Sequence, residues 1–240
     1  MYAPRILSKG PRRLAELGVA IVDAPWRCDA AYDALVDAAW EKRLAQAEAE
    51  GWGLWDGTLY RVANCDTRGE GDPLHLGTVA YRHVATFRPL HEAHAAAGLE
   101  PLHHLSTAAL VRSADGFYLF GRRTGRGTVD LIGGGVQPDE LAVASGADLE
   151  ANLHKEMREE VGLPRDAVTA LAGLGIVLST VSNVLIIAHA QTSLSRAGLE
   201  AAFADREDDE MAAPVFVPEA GLVDYLRAMT DYRRLIPDLL

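Results

Sequence analysis

Helical spacing of apolar residues marks the first strong element of the chain, Ala30–Glu50. Leu35, Ala39 and Leu44 lie near one face of the predicted helix, and Trp40 extends that face. We therefore expect these four residues to face a hydrophobic core. The helix opens an N-terminal half in which apolar runs are short.

The rest of this half predicts two strands and one helix, at residues 60–62, 76–83 and 91–97. A polar stretch between the two strands, residues 64–73, predicts a turn region. The pattern changes near residue 104, where the first strong strand begins. We therefore expect a smaller α+β extension over residues 1–104 and a second domain over residues 105–240.

Strands and helices alternate in the second half, which predicts an α/β fold with a mixed sheet. The predicted strands are 106–112, 117–122, 129–132, 170–178, 184–191 and 215–217, and the predicted helices are 148–161, 199–204 and 220–229. The helix 148–161 has the clearest pattern. Its apolar residues recur at every fourth position, at Leu149, Leu153, Met157 and Val161. Asp148 is the expected N-cap, and Gly162 ends the helix.

The same helix carries three glutamates, Glu156, Glu159 and Glu160, at spacings that place them on one face. Three crowded carboxylates repel one another, and a hard divalent cation such as Mg²⁺ or Mn²⁺ would offset that repulsion. A glycine triplet, residues 133–135, follows a strand upstream and lets the backbone approach a metal or phosphate closely. The alternative is a solvated, glutamate-rich surface helix.

The glycine triplet and the acidic helix together resemble the Nudix box. In that family a glycine and a glutamate are separated by five residues, as Gly134 and Glu140 are here. The second part of the box is matched by Glu156, Met157, Glu159, Glu160, Gly162 and Leu163. Two features depart from the family: Lys155 replaces an arginine, and fourteen residues rather than seven separate Glu140 from Lys155. The insertion, roughly residues 141–147, predicts an extended loop between Glu140 and the acidic helix.

This resemblance implies an α/β/α sandwich and metal-dependent hydrolysis of a phosphoanhydride bond. It implies that Glu156, Glu159 and Glu160 bind Mg²⁺ or Mn²⁺ with help from a backbone carbonyl near Gly134. Many members have a second catalytic glutamate in a later loop, and Glu210 is the candidate here. The alternative for Glu210 is a place in a solvated run of charges, residues 207–210.

Five arginines are candidate contacts for substrate phosphates. They are Arg122, Arg123 and Arg126 after the second strand of the catalytic domain, and Arg61 and Arg82 in the extension. The alternative for the first three is that they are solubilising charges on a hairpin.

The extension adds a second resemblance, to the UDP-glucose pyrophosphatase subgroup of Nudix enzymes. The similar patches are residues 39–44, 54–57, 60–61, 76–77, 81–82 and 129–134. This implies cleavage of a UDP-sugar to UMP and a sugar 1-phosphate. Trp55, Tyr60 and Tyr81 could stack on the base, although such aromatic residues are more often core. ADP-ribose, CoA and dinucleotides remain alternative substrates, and an inactive nucleotide-binding regulator is the alternative outside the hydrolases.

Composition and charge bear on the binding partner and the cellular location of the protein. The 240 residues carry a net charge of −11, which disfavours binding of long nucleic acids. No apolar stretch is long enough for a membrane span, so we expect a cytoplasmic protein, with homodimerisation left open. Cys28 and Cys65 have no metal-ligand spacing and are expected to be reduced thiols. A zinc site is the rival metal hypothesis, built from the clustered histidines His91, His94, His103 and His104.

Overall fold

A computed structural model describes residues 3–10, 12–51, 53–67, 69, 71–125, 127–179 and 182–240. Within these residues there are ten strands: β1 Arg5–Lys9, β2 Val19–Ile21, β3 Thr58–Val62, β4 Leu74–Ala80, β5 His104–Arg112, β6 Phe117–Arg123, β7 Val129–Asp130, β8 Val168–Leu178, β9 Asn183–Thr192 and β10 Met211–Pro218. The α-helices are α1 Ala30–Glu50, α2 Tyr81–Ala96, α3 Gly146–Val161, α4 Arg196–Ala204 and α5 Leu222–Arg227. None of these helices is both long enough and apolar enough to cross a lipid bilayer.

Strand β5 is the centre of one mixed sheet. One edge of β5 pairs in parallel with β9 from His104 to Arg112, and β9 continues antiparallel to β8 and then β1. The other edge of β5 meets β3 at its start and β6 at its end, both antiparallel. β3 leads on through β4 to β2, whereas β6 pairs with β7 and β10. The sheet therefore runs from the extension into the second half of the chain.

The two faces of this sheet carry separate hydrophobic clusters. On β5, Leu105 and Ala109 face the cluster that contains α3 and α4, whereas Ala108 and Leu110 face the cluster that contains α5 and the 3-10 turn Tyr232–Asp238. This alternation is the period of two expected of a strand buried on both sides. Helices therefore cover both faces, and the predicted α/β/α sandwich with a mixed sheet is confirmed.

The extension adds its own small core, in which α1 and α2 lie against β3 and β4. Helix α1 has the predicted bounds, but its predicted inner face is only partly right, because Trp40 is buried, Ala39 and Leu44 are half-buried and Leu35 is exposed. The buried residues of α1 are Tyr32, Val36, Trp40 and Ala47, whereas Leu35 is 48% exposed. The spacing from Tyr32 to Trp40 also fits one helix face, and contact with Trp26 and Phe87 decides which face is buried.

Helix α2 differs most from its prediction. The strand predicted over residues 76–83 ends at Ala80, and Tyr81 already opens a helix of 16 residues that contains Pro89. The predicted helix 91–97 is only its second half. Burial of Thr86, Phe87 and His94 stabilises the helix and outweighs the weak local preference for a strand, because tertiary packing commonly overrides secondary-structure propensity. The last predicted helix, 220–229, is also shorter and is preceded by a 3-10 turn at Glu219–Gly221.

Helix α3 begins earlier than predicted. Ser145, not Asp148, is the N-cap, and Asp148 closes a capping box by accepting hydrogen bonds from the N–H groups of Ala144 and Ser145. The predicted insertion loop therefore ends at residue 145. The loop is packed on the core, because Val143 is buried and its N–H donates to the Tyr60 hydroxyl at 3.3 Å.

The first residue of β5 supplies a test of this packing. His104 is buried, and no described group hydrogen-bonds to its Nδ1 atom. Burial, reinforced by nearby His103, lowers the pKa of His104 to about 4. The unfolded chain therefore binds this proton more readily than the folded chain, and stability falls as the pH drops from about 6.5 towards 4. Between pH 7 and pH 4, we expect the free energy of unfolding of the wild type to fall by roughly 3 kcal/mol more than that of His104→Gln. Urea unfolding across this range measures the difference, and parallel pH curves for the two proteins would contradict the assignment.

Candidate metal and phosphate site

The glycine triplet lies along the edge of β5 between the places occupied by β3 and β6. Isolated bridges join Ile132 to Ala109 and Gly135 to Ser106, so Gly133 and Gly134 run beside β5. A Cβ atom on Gly133 would lie 2.1 Å from the carbonyl oxygen of Thr107. Only glycine permits this close approach of two backbones.

Gly134 makes room for a carboxylate. A Cβ atom at this position would lie 2.5 Å from Oε2 of Glu156. The Gly134 carbonyl accepts a hydrogen bond from Thr107 N–H at 3.0 Å, whereas the carbonyl of Gly133 faces the guanidinium of Arg123 at 3.2 Å. The Gly133 carbonyl is therefore directed at a charged side chain of the site, whereas the Gly134 carbonyl is bonded to β5.

Helix α3 is held firmly against the sheet. The four apolar residues predicted to anchor it, Leu149, Leu153, Met157 and Val161, are all fully buried. A polar contact adds to this anchor, because the buried Asn152 amide donates to the Thr107 hydroxyl at 2.8 Å. Asn152 was not among the predicted site residues. Its position one turn before Glu156 was the available signal, but nothing in the sequence specified the partner on β5.

Two of the three predicted glutamates are buried in this arrangement. The side chains of Glu156 and Glu160 are only 11% and 2% exposed. Burial raises the pKa of Glu156 to about 7 and that of Glu160 well above its ordinary value. Oε2 of Glu160 accepts a hydrogen bond from Gly133 N–H at 2.7 Å. Its Oε1 accepts no hydrogen bond from the described residues, although Nη1 of Arg123 lies 3.2 Å away.

Lys155 neutralises the outer side of the cluster. Its ammonium group lies 2.7 Å from Glu140, 3.0 Å from Glu159 and 3.6 Å from Glu156. Burial acts to lower the pKa of Lys155, but the bonds to Glu140 and Glu159 outweigh it and the pKa is raised. Glu140 thus reaches the cluster despite the longer connection. The structure places it as the partner of Lys155.

Arg123 connects the inner side of the cluster to Glu210. Its guanidinium pairs with Glu160 at 3.2 Å and also with Glu210. The antiparallel pairing of β6 and β10, which sets Met211 opposite Arg123, brings these distant residues together. Burial acts to lower the pKa of Arg123, but the two carboxylates outweigh it and the pKa is raised.

Of the other four predicted arginines, three bond to groups outside the glutamate cluster. Arg122 donates to the Gly127 carbonyl at 3.0 Å, and Arg126 lies outside the described residues. Arg61 is buried and paired with Glu100, and Arg82 lies 3.5 Å from Asp33. Within the described part of the chain, no hydrogen bond or ion pair joins Arg61 or Arg82 to the glutamate cluster.

The aromatic candidates of the extension divide into buried and exposed residues. Tyr60 is buried, and its hydroxyl is occupied by Val143 N–H. Trp55 is 43% exposed, and its ring centre lies 5.4 Å from that of Tyr81. Trp55 is therefore the residue of the three whose side chain is most available to stack on a ligand.

The predicted histidine cluster does not form. His94 is buried in an aromatic cluster and stacks on Trp26 with ring centres 5.8 Å apart. His103 bonds to Asp66 instead, and His104 belongs to β5. In the described ranges, none of His91, His94 and His104 belongs to a group of three converging metal-ligand atoms. The rival hypothesis fails because His91 and His94 lie on α2, whereas His103 precedes β5 and His104 is its first residue.

The glutamate cluster has a donor set that fits a divalent cation. Five carboxylates, from Glu140, Glu156, Glu159, Glu160 and Glu210, face two cations, Lys155 and Arg123. Oxygen donors of this kind suit Mg²⁺ and Mn²⁺. No three of these carboxylates, all in the described part of the chain, converge within 4.8 Å of one another. Arg123 and Lys155 lie among them, so ion binding requires some of these pairs to separate.

No protein-family model matches this chain, and no curated protein matches it. Solved structures resemble it over about half of its length. The MutT protein from Methanosarcina mazei Go1 is 20% identical, with 59% of this chain and 95% of that chain covered and a TM-score of 0.41. DR0079 from Deinococcus radiodurans is 15% identical, with 57% and 82% covered and a TM-score of 0.40. The NUDIX domain of Shewanella oneidensis NrtR, complexed with ADP ribose, is 15% identical, with 55% and 86% covered and a TM-score of 0.38. Any functional assignment therefore depends on the residues of the site.

Loss of the Lys155 charge should destabilise the fold. In Lys155→Met, three carboxylates lose the cation that they share, and we expect the free energy of unfolding in metal-free buffer at pH 8 to fall by about 1–3 kcal/mol. Lys155→Arg keeps the charge and should lose less than about 1 kcal/mol. Urea unfolding measures both. Equal stability of Lys155→Met and the wild type would show that the lysine does not stabilise the cluster.

A methyl group at Gly134 should disturb the site locally. In Gly134→Ala the new Cβ displaces the Glu156 carboxylate, and we expect affinity for Mn²⁺ to fall at least about tenfold. Gly53→Ala is the matched control, because a Cβ on Gly53 meets nothing within 4 Å. Titration followed by electron paramagnetic resonance of free Mn²⁺ reports the affinity. Unchanged affinity in a folded Gly134→Ala protein would remove Glu156 from the list of ligands.

Proposed function

We propose that this chain is a Nudix hydrolase that uses Mg²⁺ or Mn²⁺ to hydrolyse a phosphoanhydride bond in a nucleoside diphosphate linked to another group. The burial of Glu156 and Glu160 beside the glycine triplet carries the proposal. A solvated surface helix would leave its glutamates exposed, whereas here the Glu160 side chain is 2% exposed. Burying a carboxylate is costly unless a cation or hydrogen bonds offset the cost.

The candidate metal ligands are Glu156, Glu159 and Glu160, with the Gly133 carbonyl, which faces Arg123, as the candidate backbone ligand. A bound divalent ion would supply Lewis-acid polarisation of the phosphate oxygens. Gly133 N–H fixes one oxygen of Glu160 and leaves the other for a cation. Lys155 holds Glu156 and Glu159 on the same side of α3.

Arg123 and Glu210 are the candidates that act on substrate and water. The Arg123 guanidinium can leave Glu160 and pair with a substrate phosphate instead, because a guanidinium binds carboxylate and phosphate with the same geometry. Glu210, whose side chain is 63% exposed, is the proposed base that accepts the proton of an attacking water. The water oxygen forms a bond to phosphorus, the anhydride oxygen leaves with the second phosphate, and the proton passes through Glu210 to solvent.

A UDP-sugar is the proposed substrate, with UMP and a sugar 1-phosphate as products. The similarity of the extension to the UDP-glucose pyrophosphatase subgroup supports this choice. An exposed aromatic side chain in that extension, Trp55, is a candidate platform for the base. Arg122 is exposed and neighbours Arg123, and it could contact the second phosphate. The proposed partner is thus a small nucleotide and not a long nucleic acid.

A substrate panel tests the proposal. We would incubate the full chain with UDP-glucose, UDP-N-acetylglucosamine, ADP-ribose, NADH and CoA, with Mg²⁺ or with chelator, and identify products by chromatography. We expect UMP from a UDP-sugar only when the metal is present. In Glu160→Gln the turnover number should fall about 100-fold or more, because a buried ligand is lost.

The matched control is Glu200→Gln, the same chemical change on the exposed face of α4, which should retain activity within about twofold. Metal-dependent cleavage of ADP-ribose, NADH or CoA instead of UDP-sugars would keep the chemistry and reject the proposed substrate. Nucleotide binding without cleavage of any compound would reject the enzyme and favour a binding regulator.

A further inference from the structure

Three different metal-ligating side chains converge in the N-terminal extension. Cys28 precedes α1, Asp33 lies in the first turn of α1, and His83 lies in the first turn of α2. Their thiol, carboxylate and imidazole ligand atoms all lie within 4.8 Å of one another. We propose that these side chains form a zinc site that ties α1 to α2, independent of the glutamate cluster.

The distances are close to those of a tetrahedral zinc centre. Sγ of Cys28 lies 3.9 Å from Nε2 of His83, and Nε2 lies 3.0 Å from Oδ1 of Asp33. Bond lengths of about 2.3 Å to sulfur and 2.0–2.1 Å to nitrogen and oxygen at tetrahedral angles give about 3.6 Å and 3.3 Å for these pairs. Each pair therefore needs to change by only about 0.3 Å to hold the ion.

The N-terminal ends of α1 and α2 fix the positions of the ligand side chains. The Asp29 side chain caps α1 by accepting from Tyr32 N–H at 2.8 Å, which fixes the chain next to Cys28. The His83 ring packs against Trp26, with ring centres 5.0 Å apart, and is buried. Two of the three ligands are thus positioned by capping and aromatic packing that do not depend on a metal.

The direction of the His83 ring favours a metal over a relay of hydrogen bonds. The thiol and the carboxylate both meet the same ring nitrogen, Nε2, whereas the buried Nδ1 has no hydrogen-bond partner among the described residues. In a proton relay the two neighbours would lie at opposite nitrogens. Here the thiol and the carboxylate share Nε2, so all three ligand atoms surround a single point at which a metal ion could bind.

The surrounding charge also favours a cation. The carboxylates of Asp33, Asp29 and Asp37 and the guanidinium of Arg82 are the charged groups that act most strongly on Cys28. Arg82 is 3.5 Å from Asp33 and 3.8 Å from Asp37, so its charge is shared between two carboxylates. A divalent ion would offset the remaining negative charge. Thiolate and imidazole donors select Zn²⁺ over Mg²⁺.

A second cluster, Cys65, Asp66 and His103, meets the same distance criterion but is accounted for by hydrogen bonds. There the two His103 nitrogens are bonded on opposite sides, Nδ1 to the Ser182 hydroxyl at 3.2 Å and Nε2 to Asp66 at 3.0 Å. Asp66 also pairs with Arg5 at 2.8 Å. This network is complete without a metal, and Cys65 therefore provides a control cysteine.

Cobalt substitution tests the site directly. The full chain, freed of metal with chelator under reducing conditions, would be titrated with Co²⁺ and followed by absorption spectroscopy. We expect one equivalent of Co²⁺ to produce a thiolate-to-cobalt charge-transfer band that an equivalent of Zn²⁺ abolishes. The glutamate cluster has no thiolate, so Co²⁺ bound there cannot produce this band.

Matched variants identify the ligands. Cys28→Ser and His83→Gln should lose the band, Cys65→Ser should retain it, and Asp33→Asn should weaken Co²⁺ binding at least about tenfold while keeping the thiolate. Circular dichroism checks that each variant is folded. Absence of the band in the wild type, its persistence in Cys28→Ser or its loss in Cys65→Ser would each overturn the proposal.

Discussion

Burial of like-charged carboxylates is the constraint on which the candidate site depends. Glu156 and Glu160 lie one helical turn apart on α3 and are almost completely removed from solvent. An isolated buried carboxylate would cost several kcal/mol, so the surrounding chain must supply compensation. Gly133 N–H, Lys155 and Arg123 supply part of it, and together they leave five carboxylates facing two cations.

The fold keeps this cluster in place through β5. One edge of β5 is fully paired with β9, and the other edge holds the glycine triplet in the space between β3 and β6. The apolar face of α3 packs on the same side of the sheet, and Asn152 ties the helix to Thr107. Because helix and triplet each pack on β5, the fold buries Glu156 and Glu160 beside the triplet. The extension contributes through Tyr60, whose hydroxyl holds the loop that leads into α3.

Features with a local cause could be predicted from the sequence, and those that depend on tertiary partners could not. The apolar repeat of α3 and the shared face of its glutamates follow from helix geometry, and both were found. The inner face of α1 was found only in part, at Trp40, because two faces carry apolar residues and contact with Trp26 and Phe87 selects Val36 over Leu35. The pairing of Arg123 with Glu210 depends on the register of β6 and β10, and the meeting of Cys28 with His83 depends on how α1 packs on α2. Neither the register nor the packing is encoded in residue spacing.

Thermal unfolding with and without Mn²⁺ most directly tests the proposal that α3 holds a divalent cation at buried carboxylates. In metal-free buffer at pH 8, Glu156→Gln should be at least as stable as the wild type, because it removes one charge from a crowded, buried cluster. Added Mn²⁺ should raise the melting temperature of the wild type and change that of Glu156→Gln much less. If the variant is less stable without metal and gains as much from Mn²⁺ as the wild type, the glutamates of α3 are not the metal site.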